Sequence, residues 1–334
     1  MSKLKVYVTR EIPERGLGII RKSFHAEIWS EYAPPPKKVI IEKIREMDAI
    51  VSLLSDQIDA EVFDAGSKLK IVAQLAVGFD NIDVKEATKR GIYVTNTPGV
   101  LTETTADFAW ALLMSVGRRV VEADNYVRTG KWKVGWHPSM LSGRDVYGAT
   151  LGIVGAGRIG ASVARRAKGF NMKVLYYDVI SRPELEKELG AKRVELDRLF
   201  AGSDFVSVHV PLMESTHHLI NEERLKLMKK TAYLINNSRG PVVDERALYK
   251  ALKEGRIAGA GLDVFEEEPT QITNPLLKLD NVVVAPHISS ASHETRSQMA
   301  KMVADNLVSF FSGKRPPNLV NPDVLEVQPL RTLF

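Results

Sequence analysis

Cysteine is absent from this 334-residue chain. Disulfides, thiolate nucleophiles and cysteine–zinc sites are therefore excluded together. No apolar run approaches the roughly 18 residues that a membrane span needs, and no leader-like segment is read at the start. A strong excess of one charge is also missing, since 46 Lys and Arg stand against 41 Asp and Glu. The basic pairs Lys37-Lys38, Arg118-Arg119, Arg165-Arg166 and Lys229-Lys230 are scattered among acids without interleaved aromatics. They read as solvated helix faces rather than as a nucleic-acid stripe. The expectation is a cytoplasmic protein with no nucleic-acid and no membrane partner, whose net charge of +5 suits small anions. What remains is ordinary for a globular chain, 44% hydrophobic and 26% charged, and long enough for two domains.

The stretch from Thr150 to Asp178 organises the chain. Leu151 to Val154 read as a short buried strand, followed by Gly155, Gly157 and Gly160 at G-x-G-x-x-G spacing. Ile159, Val163 and Ala167 recur at helical intervals, and Val174 to Tyr177 form a second strand that ends on Asp178. In such a unit the first glycine makes the tight turn. The second lets the backbone approach a pyrophosphate, and the third lets the helix lie close to the strand. The diphosphate then sits over the free N–H groups of a helix N-terminus. Asp178, 18 residues past the last glycine, is placed to accept hydrogen bonds from a ribose 2′-OH. The acid favours NAD over NADP, because it repels a 2′-phosphate; Arg182, four residues on, softens that rejection.

Before this unit, strand-like runs at Lys5 to Thr9, Ala26 to Trp29, Ala49 to Leu54, Lys70 to Val77 and Ile92 to Thr95 alternate with helical stretches. Alternation of this kind means a parallel sheet with both faces covered, hence an α/β fold. Ligands bind beyond the carboxyl ends of such strands, here Ser52-Leu53-Leu54 and Ala76-Val77-Gly78. Gly78 either lets backbone amides approach a carboxylate or is a plain turn glycine. Leu101 to Asp124 reads as one long helix, apolar on more than one face, so a core helix or a subunit contact. Lys131 to Asp145 is irregular and carries Trp132 and Trp136, which something must cover. Later strands are expected at Asp204 to Val210, Ala232 to Asn236, Ala258 to Phe265 and Val282 to Ala285. A last helix spans Ser292 to Ser312, and the tail Arg315 to Phe334 is expected to wrap the surface.

Three charged residues fall just past strands of the second half: Arg239, Glu268 and His287. Hydride transfer to a ketone leaves an alkoxide that needs a proton, and His287 can supply it at neutral pH. Glu268, bonded to the other ring nitrogen, would favour the imidazolium. Arg239 can grip a carboxylate through two parallel hydrogen bonds and polarise the adjacent carbonyl. No metal is needed. Each residue also has a bland explanation: a satisfied histidine after a strand, an Arg-Gly turn, a charged Glu-Glu-Glu-Pro loop.

The motifs Gly155 to Gly160, His209-Val210-Pro211-Leu212, Asn236 to Gly240, Gly261 to Phe265 through Glu268-Pro269, and Ala285-Pro286-His287 occur in one order along nearly the whole chain. In this the chain resembles the D-isomer-specific 2-hydroxyacid dehydrogenases. With Asn96-Thr97-Pro98-Gly99-Val100 and Gly135-Trp136-His137-Pro138 it is similar to the archaeal glyoxylate reductases among them. The resemblance implies two doubly wound parallel-sheet domains. Residues 1–99 with 288–334 would form a flavodoxin-like substrate domain, and 100–287 a Rossmann dinucleotide-binding domain. It implies reduction of glyoxylate or hydroxypyruvate, with Arg239 holding substrate, Glu268 tuning and His287 moving the proton. It places Leu53, Val77, Gly78 and Trp136 at the substrate. Thr105, Gly155, Gly157, Arg158, Ile159, Gly160, Asp178, Val210, Pro211, Thr216, Asn237, Ser238, Asp263 and Ser289 would lie at the cofactor. A homodimer through the nucleotide domain is implied too. Two departures stand out: Ser289-Ser290 replaces the usual Gly-Ser, and Asp178 stands where NADP-using glyoxylate reductases carry a neutral or basic residue. Phosphoglycerate, lactate, phosphite and formate members share the catalytic residues. A binding protein that senses NADH on the same fold is the alternative from another class.

Overall fold

The structure, a computed structural model, describes residues 3–332. They divide into two compact units, one ending at Leu101 and resuming at Ala291, the other Thr102–Ser290. The first unit holds a five-stranded parallel sheet: β1 (Lys5–Val8), β2 (His25–Ile28), β3 (Ala49–Ser52), β4 (Ile71–Gln74) and β5 (Tyr93–Thr95), in the order β2-β1-β3-β4-β5. Ile50, Val51, Ile71 and Val72 are wholly buried, as expected of strands covered by helices on both faces. The strand order reverses between β1 and β3, so the carboxyl ends of these two strands open a crevice where ligands of such sheets bind.

The second unit carries seven parallel strands: β6 (Thr150–Val154), β7 (Lys173–Tyr177), β8 (Lys192–Arg193), β9 (Phe205–Val208), β10 (Tyr233–Asn236), β11 (Gly259–Leu262) and β12 (Val282–Val284). Their order is β12-β11-β10-β9-β6-β7-β8. Here the order reverses between β6 and β9, which puts the glycine turn after β6 at the switch point. Two apolar clusters cover the faces, one around Trp110, Leu113, Val163 and Tyr176, the other around Leu199, Phe200, Leu234 and Leu248.

One expectation from the sequence is corrected and another extended. The helix expected over Leu101 to Asp124 is two helices, Thr102–Gly117 and Val120–Arg128. Arg119 adopts a left-handed conformation, with φ of 56°. The carbonyl of Gly117 leaves the helix to accept the amide of Arg144 at 2.8 Å, and Gly143 lies against it too closely for a side chain. The tail runs over the surface as expected, but it is also tied into the sheet. Asn321, nearly buried, accepts the amide of Val94 at 2.8 Å and donates to the carbonyl of Ile92 at 2.9 Å. Leu319 bridges antiparallel to Thr95, so the returning chain is bonded to the edge of the first unit's sheet; Phe334 lies outside the described residues. The helix His293–Phe311 packs on the helix Glu14–Ser23, where a Cβ on Gly16 would stand 2.2 Å from the carbonyl oxygen of Ala300.

Candidate active site and dinucleotide cradle

The glycine turn has the form a diphosphate requires. Gly155 lies at φ of 90°, and a Cβ on it would meet the backbone of His209 and Val210 at 2.9 Å. A Cβ on Gly160 would stand 2.0 Å from the carbonyl oxygen of Gly155, so only glycine lets the helix Arg158–Arg166 start there. Gly157, in contrast, faces open space, the cradle that a side chain would fill. Among the described residues no hydrogen bond takes up the amides of Arg158 and Ile159 at this helix start. Both oxygens of Asp178 already accept backbone amides, Oδ2 from Ala156 at 2.8 Å and Oδ1 from Ile180 at 3.0 Å. The carboxylate thus staples the glycine turn to the end of β7 while keeping lone pairs for a ribose. Arg182 stands 3.6 Å from Oδ2.

Farther along the same sheet edge, Asn237 donates to the carbonyl of Thr105 at 3.0 Å, while its own Oδ1 is buried without a partner among the described residues. An orphan acceptor in that position fits a carboxamide N–H₂, and the residues present therefore suit a nicotinamide dinucleotide. Thr216 donates to the carbonyl of Pro211 at 2.6 Å and accepts from the amide of Met213, fixing the turn that follows β9 and includes Val210. Ser238 caps back onto Asn236 through both its amide and its hydroxyl.

The catalytic candidates meet at the ends of β10, β11 and β12. His287 Nδ1 lies 2.7 Å from Glu268 Oε2, and Glu268 Oε1 accepts the amide of Phe265 at 3.0 Å. Burial pushes the Glu268 carboxyl up. The hydrogen bond and charge of His287, the Phe265 amide and the nearby Arg239 outweigh it and hold the group below the usual carboxylate range. His287 itself is left-handed, with φ of 55°. Its turn is clamped by Asp263, whose carbonyl takes the His287 amide and whose buried carboxylate takes the amides of Ile288 and Ser289 and the hydroxyl of Ser289. The side chain expected at the cofactor is thus engaged in holding the histidine. Ser289 supplies two of those bonds, one of them through the hydroxyl that a glycine would lack. Arg239 is half-buried at the end of β10 and donates to the carbonyl of Ser238 at 2.7 Å.

One residue passed over in the sequence belongs here. A Cβ on Gly240 would stand 1.8 Å from the carbonyl oxygen of Phe265 and 2.5 Å from the amide of Glu266. Gly240 therefore lets the Arg239 segment lie directly on the segment that anchors Glu268. Its adjacency to the arginine was the available signal.

In the first unit, Leu53 and Val77-Gly78 follow β3 and β4 as expected. The carbonyl of Ala76 accepts the amide of Thr97 at 2.9 Å, and that of Val77 accepts Asn96 Nδ2 at 2.8 Å. Both carbonyls are turned toward the same two residues. Across planar trans peptides, the amides of Val77 and Gly78 then point together to the opposite side, and neither has a hydrogen-bond partner among the described residues. Two convergent amides make an anion nest. Trp136 is 78% exposed on its own chain, and Trp132 is 52% exposed.

Comparison with known proteins gives a consistent result. Residues 110–289 match the D-isomer specific 2-hydroxyacid dehydrogenase NAD binding domain. The glyoxylate reductase of Korarchaeum cryptofilum is 69% identical over 327 residues, 98% of each chain. The crystal structure of an NADPH-dependent glyoxylate/hydroxypyruvate reductase from Sinorhizobium meliloti, in complex with NADP and malonate, is similar at a TM-score of 0.86 and 35% identity. It covers 97% of this chain and 98% of that one. D-Lactate dehydrogenase from Aquifex aeolicus, complexed with NAD and lactic acid, is similar at 0.84 and 30%, over 95% and 98%. With its two parallel-sheet units and its nucleotide cradle, the chain belongs to the D-isomer specific 2-hydroxyacid dehydrogenase family, oxidoreductases that use a nicotinamide dinucleotide.

Proposed function

We propose that this protein reduces glyoxylate, or hydroxypyruvate, to the corresponding 2-hydroxy acid, with NADH preferred over NADPH. The observation that carries the chemistry is the 2.7 Å pair of His287 and Glu268 beside the Arg239 turn. The relatives named glyoxylate reductase carry the choice of substrate.

The bound dinucleotide supplies the hydride. The protein's own residues do the rest. Arg239 binds the substrate carboxylate and polarises the 2-oxo group. In the first unit the convergent amides of Val77 and Gly78 offer a carboxylate two hydrogen bonds, with Leu53 at the end of the neighbouring strand. His287 gives its proton to the oxygen that becomes the hydroxyl. Glu268 stays ionised and keeps the ring oriented as the proton leaves. Asp263 holds the histidine turn in its left-handed conformation.

Asp178 at the end of β7 supports the NADH preference, because a 2′-phosphate would meet a carboxylate there. Arg182 at 3.6 Å offsets part of that charge, so NADPH serves less well rather than not at all. We also propose a homodimer through the second unit. The helix Val120–Arg128 buries none of its residues, and Val120, Val121 and Val127 are all more than half exposed. Trp132, Val134 and Trp136, in the segment that follows, are more than half exposed as well, and exposed apolar residues gathered along one stretch of chain suit a partner surface.

The test is direct. Purified protein is mixed with glyoxylate and NADH, and the loss of NADH absorbance is followed. Hydroxypyruvate, pyruvate and NADPH serve as the comparison set. Turnover greatest with glyoxylate or hydroxypyruvate and NADH is expected. Tight NADH binding with no turnover of any 2-oxo acid would favour a sensor instead.

A further inference from the structure

The carboxyl ends of β1, β3 and β4 share a polar network, buried at Ser52, Gln74 and Asp56 and half-buried at Asn81, whose side chains none of the roles above uses. Ser52 Oγ donates to Gln74 Oε1 at 2.6 Å, and Gln74 Nε2 donates to Asn81 Oδ1 at 2.7 Å. Asn81 Nδ2 donates twice, to the carbonyl of Leu53 at 3.0 Å and to that of Asp56 at 2.7 Å. The Asp56 carboxylate, 1% exposed, accepts the Leu53 amide at 2.7 Å, the Thr9 hydroxyl at 2.5 Å and Arg10 Nη2 at 3.3 Å. Gln74 Nε2 also lies 3.4 Å from the carbonyl of Gly78.

The direction of this chain of bonds is fixed by chemistry. The two main-chain carbonyls can only accept, so Asn81 must turn its N–H₂ toward them. Its oxygen then faces Gln74, which must present nitrogen, and Gln74 is left to accept from Ser52. Only one assignment of the two amides satisfies every member. Leu53 has its main-chain amide held by the buried Asp56 and its carbonyl by the half-buried Asn81. The same network reaches the Val77-Gly78 turn through Gln74. Apolar residues would fill a sheet end at less desolvation cost, so stability alone does not account for Ser52, Gln74 and Asp56 in this position.

We propose that Asn81 and Gln74 are positioning residues for the 2-oxo acid. They hold the Leu53 loop in register with the Val77 and Gly78 amides, and so set the affinity for substrate without touching it. The inference rests on the functional reading above and deepens it. Asn81 acts on Leu53 directly, and Gln74 acts mainly by orienting Asn81.

The test uses the full-length protein with Asn81→Ala, the isosteric Asn81→Asp, Gln74→Met and the double Gln74→Met/Asn81→Ala variant. Expected in Asn81→Ala is a glyoxylate KM raised about tenfold, with kcat within about threefold of wild type. The NADH dissociation constant, read by fluorescence, stays within about twofold. Asn81→Asp, which keeps the shape but turns an acceptor toward two carbonyls, raises KM at least as far. Gln74→Met gives a smaller rise, and the double variant is no worse than Asn81→Ala, since one residue works through the other. Thermal melts verify that each variant is folded. If Asn81→Ala does not fold, Gln74→Met carries the test alone. A folded variant whose KM matches wild type would overturn the proposal. So would a kcat loss at unchanged KM, or additive effects in the double variant. Absence of glyoxylate turnover in the wild type would overturn the functional reading instead, so the two failures are separable.

Discussion

Replacing Gly240 by alanine tests the geometry of the site without removing any charged group. The new Cβ would fall 1.8 Å from the carbonyl oxygen of Phe265, so the contact must open by about 1.5 Å or more to reach ordinary separation. That opening separates two segments that matter. One carries Arg239 at the end of β10. The other anchors Glu268 through the Phe265 amide at 3.0 Å, and Glu268 holds His287. A misplacement of about 1 Å at reacting groups costs about 100-fold in rate, so kcat/KM for glyoxylate should fall by about that factor or more. Overpacking of this kind costs about 1–3 kcal/mol of stability. A lower melting temperature is therefore expected, but a folded protein at assay temperature. The glycine turn after β6 lies elsewhere on the sheet, and NADH binding should stay within about threefold of wild type. Steady-state kinetics, a thermal melt and NADH fluorescence together decide it. A folded Gly240→Ala protein with wild-type kcat/KM would refute the reasoning, because the close approach would then be incidental to catalysis.

Three further outcomes are expected. Arg239→Lys keeps the charge but loses the two-pronged grip, worth about 1.5–3 kcal/mol, so kcat/KM for glyoxylate should drop by about 10- to 100-fold; a change under about twofold would argue against the carboxylate role. Asp178→Ala should raise the NADPH-to-NADH ratio of kcat/KM by about tenfold or more. An unchanged ratio would remove Asp178 as the discriminator. Glu268 ionises below its ordinary 4.5 in the folded protein, so its contribution to stability is complete above that pH and fades as pH falls through the folded-state value. The wild-type melting temperature should therefore decline in that acid window. Glu268→Gln, with no proton to take up, should decline less steeply there, as melts across pH will show.

Much of this architecture was legible in the sequence because its signals are local. Alternating strand and helix runs announce two parallel sheets, and three glycines between a strand and a helix announce the cradle. The residues past β10, β11 and β12 stand out because charge at such junctions is conspicuous. What escaped was set by contacts between distant parts of the chain. Val120 and Val121 resume the apolar pattern past Gly117-Arg118-Arg119, so the run reads as one helix, and the approach of residues 143–144 to Gly117 is what ends the first helix there. The tail reads as peripheral in sequence, because the bonds of Asn321 to the edge of β5 span more than 220 residues. Asp263 belongs to a recognisable motif, yet its carboxylate clamps the turn of His287 across 25 residues of sequence, a contact that no local signal announces. Gln74 and Asn81 are common polar residues in unremarkable positions, and their partners lie on β3, on the loop after it and on the loop after β4.

The account depends most on one imidazole. Transfer of the proton by His287 is tested by measuring glyoxylate turnover in His287→Ala at saturating NADH, with NADH affinity measured on the same sample. The expected result is a kcat lower by about 100- to 10,000-fold with NADH affinity unchanged. A His287→Ala protein that turns over glyoxylate at the wild-type rate would contradict the account at its centre.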